Sequence, residues 1–231
     1  MPHGSYISLD EASRHQKAEK IISILRGFTD LSACDILDIG TGSGQIARHV
    51  ARHCKQLVSV DSHDHRVVKD GYSFKPVDDE SLPSEDEKFD IVISNHVIEH
   101  LPDRKRHLAE IRRVLKPKGL LYLAFPNRFF PVDPHYRLPF ISWLPRKTAV
   151  FYLKAVRDKL WDIYPVSLSG IKAVSQGFEI TDCTPGILKD PDKYNIHLPF
   201  HLSSLLAALP RRCLRILSRL SPTHILMLRK K

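Results

Sequence analysis

At 231 residues and 42% apolar, the chain has the size of one domain spanning 1–231, enough to bury a sizeable core. The first 20 residues are polar and charged and no run of about 18 apolar residues occurs, so neither a secretory leader nor a membrane-spanning helix is expected; four scattered cysteines without a C-x-x-C pair argue against a disulfide framework or a zinc site and for a reduced, cytoplasmic setting. The net charge of +9 is uneven: no acid follows Asp192, so residues 193–231 carry +8 and residues 1–192 only +1, which speaks against nucleic acid as a partner of the body of the chain.

In chain order, Ala18, Ile21, Ile22 and Leu25 give residues 9–26 the apolar face of a first helix, which Gly27 ends. Ile36, Leu37 and Ile39 then make the short apolar run of a buried strand over 34–39. Gly40, Gly42 and Gly44 follow at alternate positions, and a helix over 45–53 comes next, with Ile46, Val50 and Cys54 four residues apart. A strand, a glycine turn and a helix let backbone approach a ligand closely. The spacing is G-x-G-x-G, with Gln45 where a dinucleotide fingerprint would place its third glycine. A second strand over 57–61 ends in Asp61, where related folds hold ribose hydroxyls.

The segment after Asp61 is short, with room for two helical turns at most over Arg66–Lys69; His63 and His65 read as a solvated cap and turn. A third strand over 73–77 runs into Asp78, Asp79, Leu82 and Pro83. A fourth covers 89–95, from Phe89 to Asn95, a helix 103–115, and a fifth strand 120–125 after the Lys116–Gly119 turn. A helix over 168–175 and strands over 177–183 and 223–228 complete the pattern. Strands alternating with helices give an α/β sheet with its ligand site at the carboxyl ends of strands 1, 2 and 4.

Asp38, the glycine turn, Asp61, D-x-x-x-L-P at Asp78–Pro83, F-D-x-V at Phe89, I-E-H at Ile98–His100 and R-V-L-K-P at Arg113–Pro117 together resemble the class I S-adenosylmethionine (SAM)-dependent methyltransferases, including the ubiquinone-pathway O-methyltransferases. The resemblance implies a Rossmann-like, seven-stranded sheet with one antiparallel strand, helices on both faces and two insertions, at about 126–165 and 186–221. It implies SAM as cofactor, with Asp38, Gly40, Thr41, Gly42, Gly44, Asp61, Asp78, Asp79 and Asn95 around it, Asp61 on the ribose and Asp78 or its neighbour Asp79 near the adenine. It also implies methyl transfer to an oxygen or nitrogen of a small-molecule, lipid-linked or glycan-related acceptor. A SAM-binding subunit without turnover is the alternative from another class; RNA methylation is disfavoured because Ser94-Asn95-His96-Val97 stands where base-amino enzymes carry D/N-P-P-Y/F. The family reads K-P-G-G in the turn before strand 5, and Lys118 in place of the first glycine predicts a type I turn.

His96-Val97-Ile98-Glu99-His100 also matches H-x-x-E-H, a zinc-protease pattern set aside because it requires a long helix and this segment meets Pro102. In the quinone enzymes an E-x-x-E-H arrangement is linked to magnesium; His96 at the first acid position is a departure, and no metal ligand is named. His100 is a candidate general base or a loop-pinning residue, and His135 a second candidate base.

The insertion over 126–165 carries six prolines interleaved with Phe129, Phe130, Tyr136, Phe140 and Trp143, and reads as a lid and acceptor pocket or as a packed crossover. In 186–221, Leu202, Leu205, Leu206, Leu209, Cys213, Ile216, Leu217 and Leu220 recur at helical spacing around Pro210, which should divide the helix. With Arg211, Arg212, Arg215 and Arg219 alongside, that stripe suits either a cover for the sheet or a helix on the inner, anionic face of a membrane.

Overall fold

The computed structural model describes residues 11–77, 81–196 and 198–231. Seven strands, β1 (Asp35–Ile39), β2 (Gln56–Asp61), β3 (Ser73–Pro76), β4 (Phe89–Asn95), β5 (Leu115–Pro126), β6 (Phe178–Asp182) and β7 (Thr223–Lys230), form one sheet in the order β3-β2-β1-β4-β5-β7-β6. β7 runs antiparallel to both of its neighbours, and the other pairs are parallel. The strand order reverses at β1, which lies between β2 and β4, so a crevice opens beside the carboxyl end of β1.

Both faces of the sheet are covered, so its central strands are almost wholly buried. On one face, α1 (Glu11–Arg26) and α2 (Gln45–Ala51) pack Ile21, Leu25, Ala47 and Val50 against Ile36, Ile91 and Tyr122. α6 (Thr184–Lys189) adds Ile187 to this layer. On the other, α3 (Arg104–Val114) and α5 (Leu168–Val174) pack Leu108, Ile111 and Ile171 against Leu37, Val92 and Leu121. α3 starts where the Asp103 carboxylate accepts from Arg106 N at 3.0 Å.

No helix forms between β2 and β3. The Asp64 carboxylate accepts from the backbone N of Arg66 and from its guanidinium, Val67 and Val68 donate their amides to the Ser43 carbonyl, and Tyr72 Oη donates to Val68 O, so these groups are engaged outside any helical ladder. The His63 and His65 rings stack at 5.6 Å. The turn before strand 5 also differs from expectation. Lys118 takes φ 62°, the left-handed value of a type II corner, so it keeps the shape a glycine would have given. Lys116 Nζ, at the start of this turn, meets Asp90 at 2.7 Å and Asp35 at 3.4 Å.

The first insertion folds on itself. α4 (Arg146–Arg157) contributes Ala149 and Leu153 to a small core with Tyr136, Leu138, Ile141, Trp161 and Ile163. In the second, Pro210 does divide the helix, into α7 (Phe200–Ala208) and α8 (Arg211–Leu217). Burial departs from a sheet-covering role: α7 has no buried residue, and α8 buries only Leu214.

Candidate functional site

β1 ends at Ile39 and the chain turns through Gly40, Gly42 and Gly44 with φ of 75°, 53° and 80°. Crowding separates the three. A Cβ on Gly40 would lie 2.5 Å from Val97 Cγ2, and one on Gly44 2.2 Å from both Tyr72 Oη and Val68 O. One on Gly42 would meet nothing within 4 Å. The outer glycines are therefore required by close packing, and the middle one leaves an open cradle at the switch point of the sheet.

A polar chain supports this loop from below. Thr41 Oγ1 donates to Ser59 Oγ and Ser59 Oγ to the Asp38 carboxylate, each at 3.1 Å. Burial pushes Asp38 up to about 6, more than the hydrogen bonds from Thr41 and Ser59 pull it down. Asp61, at the end of β2, accepts from Gly42 N at 2.9 Å, which fixes its carboxylate beside the cradle. Asn95 ends β4 half-buried. Asp78 and Asp79 lie outside the described residues.

The second half of the site follows β4. His96 turns in the left-handed region (φ 60°), with its amide donating to Ala124 O at 2.9 Å, and Ile98–His100 form one 3₁₀ turn. Glu99 is 1% exposed; its Oε1 lies 3.2 Å from His96 Nδ1 and 3.7 Å from His135 Nε2. Its Oε2 is buried without a hydrogen-bond partner among the described residues. Burial alone would raise this carboxyl, but the His96 hydrogen bond and the surrounding imidazoles outweigh it and hold Glu99 below the ordinary carboxylate range.

His135 reaches Glu99 from the first insertion. Asp133 Oδ1 accepts from the amides of His135 and Tyr136, an Asx turn that aims the imidazole inward, while Asp133 Oδ2 accepts from Ser142 Oγ at 2.6 Å. The insertion closes back on the site where Tyr164 N donates to Glu99 O at 2.7 Å and Arg104 donates to Tyr164 O. Burial lowers the pKa of His135, outweighing the opposite pull of Glu99 and Asp133. His100 is exposed, and its ring meets that of His135 edge-on at 5.3 Å.

The fold thus joins His100 and His135, 35 positions apart in sequence, around Glu99. The ligating atoms of these three residues lie within 4.8 Å of one another, a two-imidazole, one-carboxylate set of the kind that suits zinc better than magnesium. A second grouping with the same spacing, His15, Glu19 and His49, lies on α1 and α2. Asp133 escaped the reading of the sequence; the D-P-H-Y run, an Asx-turn pattern before a candidate base, was the available signal.

Comparison with known proteins agrees with this geometry. Residues 37–123 match a family model described as a methyltransferase domain. The chain is 31% identical over 139 residues to a ubiquinone biosynthesis O-methyltransferase of Parvibaculum lavamentivorans, covering 54% of this chain and 53% of that protein. It is also 31% identical over 178 residues to the Rhizobium etli protein of that name, covering 70% of this chain and 66% of the relative. The chain therefore spans about half to two thirds of the length of these curated relatives. Among solved structures, a SAM-dependent methyltransferase from Mesorhizobium loti superposes with a TM-score of 0.61 at 15% identity, over 94% of this chain and 100% of that one, a likeness of fold.

Proposed function

Since the chain belongs to the class I SAM-dependent methyltransferases, we propose that it transfers a methyl group from SAM to an oxygen or nitrogen of a small-molecule or lipid-linked acceptor. The observation that carries this reading is the juxtaposition, at one sheet edge, of an open glycine cradle with a fixed acid and a buried carboxylate–imidazole cluster. The residues present suit the donor: Gly42 leaves room, Asp61 offers acceptors for ribose hydroxyls, Asp38 supports the loop through Ser59, and Asn95 ends β4 beside β1. Asp78, or its neighbour Asp79, is proposed to meet the adenine. Bound SAM supplies a methyl group on a positively charged sulfur, open to in-line displacement by a nucleophile.

The chain's own task is to orient the acceptor and take up its proton. His100 is the exposed imidazole of the cluster and the proposed base. Glu99, held ionised, stabilises the imidazolium that His100 becomes, and His135 packs edge-on to fix the ring. The names of the relatives, O-methyltransferases of ubiquinone biosynthesis, favour an oxygen acceptor.

Incubation with SAM labelled on its methyl group and fractionated cell extracts tests the reading. Label is expected in small-molecule or lipid fractions, and label confined to RNA, or no transfer by protein that binds SAM, would contradict it. His100→Ala should lower kcat by about 10²–10⁴ with unchanged affinity for S-adenosylhomocysteine. Full turnover by folded His100→Ala would leave His100 as a loop-pinning residue.

A further inference from the structure

The two insertions leave the sheet at the same edge. β5 ends at Pro126 and β7 begins at Thr223, and these residues pair. Asn127 fastens the insertions together: its amide N donates to Pro222 O at 2.9 Å, and its side-chain Nδ2 donates to Arg219 O at 2.7 Å and Ser221 O at 2.9 Å. This is the carboxyl edge of the parallel strands, where Gly42, Asp61 and Glu99 lie.

The arm formed by α7, α8 and the 3₁₀ turn Ser218–Leu220 leaves several large apolar side chains in solvent. Phe200 is 87% exposed, Leu205 59%, Ile216 64% and Leu220 63%. Arg211, Arg212, Arg215 and Arg219 are exposed among them, and no acid occurs in residues 193–231. The first insertion shows the same mixture on α4 and just beyond it, with Phe151 75% and Leu160 85% exposed beside Lys154 and Arg157. Isolated exposed leucines are ordinary, but a contiguous helical arm that buries only Leu214 and Ser218 is an interaction surface.

We propose that this surface docks on an anionic phospholipid bilayer, lying in the headgroup region without crossing it. Charge decides between occupants. A second copy of the chain would bring another arm of four arginines and no acid against the first, whereas acidic headgroups complement the arginines and the acyl boundary accepts the leucines and phenylalanines. Among the described residues no helix is long and apolar enough to span a membrane, which fits an interfacial arm. The proposal rests on the transferase reading only in its consequence, that the acceptor is reached from the lipid surface.

Co-sedimentation of the full chain with phosphatidylcholine vesicles, with and without phosphatidylglycerol, tests it, with S-adenosylhomocysteine affinity measured on the same samples. The wild type should pellet with the anionic vesicles. Binding should fall about tenfold or more in salt of about 0.5 M, and likewise in the Arg212→Gln/Arg215→Gln/Arg219→Gln variant, as expected for screened surface charge. Phe200→Ser/Leu205→Ser should also release the protein, and neither variant should change affinity for S-adenosylhomocysteine. Wild-type protein that stays in the supernatant with anionic vesicles at low salt, or arginine variants that bind as well as wild type, would overturn the proposal. So would preferential capture by RNA or self-association of the arm. Vesicle failure with the nucleoside still bound rejects the membrane surface alone; failure to bind the nucleoside rejects the transferase reading instead.

Discussion

Asp38 and His107 are both buried, and their pKa values move in opposite senses with opposite consequences for stability. Burial raises Asp38 from 3.8 to about 6, so the stability it contributes is complete below 3.8 and lost as pH rises through 6. Burial lowers His107, which faces Ser94 Oγ at 3.3 Å, from 6.5 to about 4; its contribution is complete above 6.5 and lost as pH falls through 4. Each shift corresponds to about 3 kcal/mol, so between pH 4 and 6 the two largely cancel. Asp38→Asn should remove one side of this balance. Denaturant unfolding should show the variant more stable than wild type at pH 7, by up to about 3 kcal/mol, and steeply less stable as pH falls from 6.5 to 4. A variant whose stability profile runs parallel to wild type would contradict the assignment.

At the scale of elements, the glycine turn separates packing from binding. Gly44→Ala combines a left-handed φ with a Cβ 2.2 Å from Val68 O, so the loop must shift, and thermal unfolding should show a loss of about 2–4 kcal/mol. Gly42→Ala faces open space and should lose only about 1–2 kcal/mol from its φ, yet the added methyl enters the cradle. Its effect should therefore fall on ligand affinity more than on stability. Equal losses of stability in the two variants would contradict the distinction. The same elements show what the sequence made legible. Ile36–Ile39 and Phe89–Asn95 are apolar runs ended by turn residues, so their positions could be read directly. Lys118 and Arg66–Lys69 could not, because a left-handed non-glycine corner and a segment whose backbone is held by Asp64 and Tyr72 depend on side-chain contacts that periodicity does not carry.

Over the whole molecule, the parallel strands and the crevice beside β1 followed from alternating elements and the glycine turn, whereas the antiparallel β7 came from family resemblance. The two insertions were visible as composition, and their conformations were not: α4 buries Ala149 and Leu153 while exposing Phe151, and the leucine stripe around Pro210 faces solvent instead of the sheet. The link between His135 and Glu99 spans the first insertion and depends on its fold. These levels meet at a single carboxyl edge that holds the glycine cradle, Asp61 and the Glu99–His135 pair, and the donor is proposed to bind in this cradle. Calorimetric titration of S-adenosylhomocysteine into wild type and Asp61→Ala tests that claim most directly. The fixed carboxylate beside Gly42 predicts a loss of about 1.5–3 kcal/mol for each charged hydrogen bond removed, about 10- to 150-fold in Kd, in a protein that remains folded. An unchanged Kd would place the donor elsewhere and contradict the account.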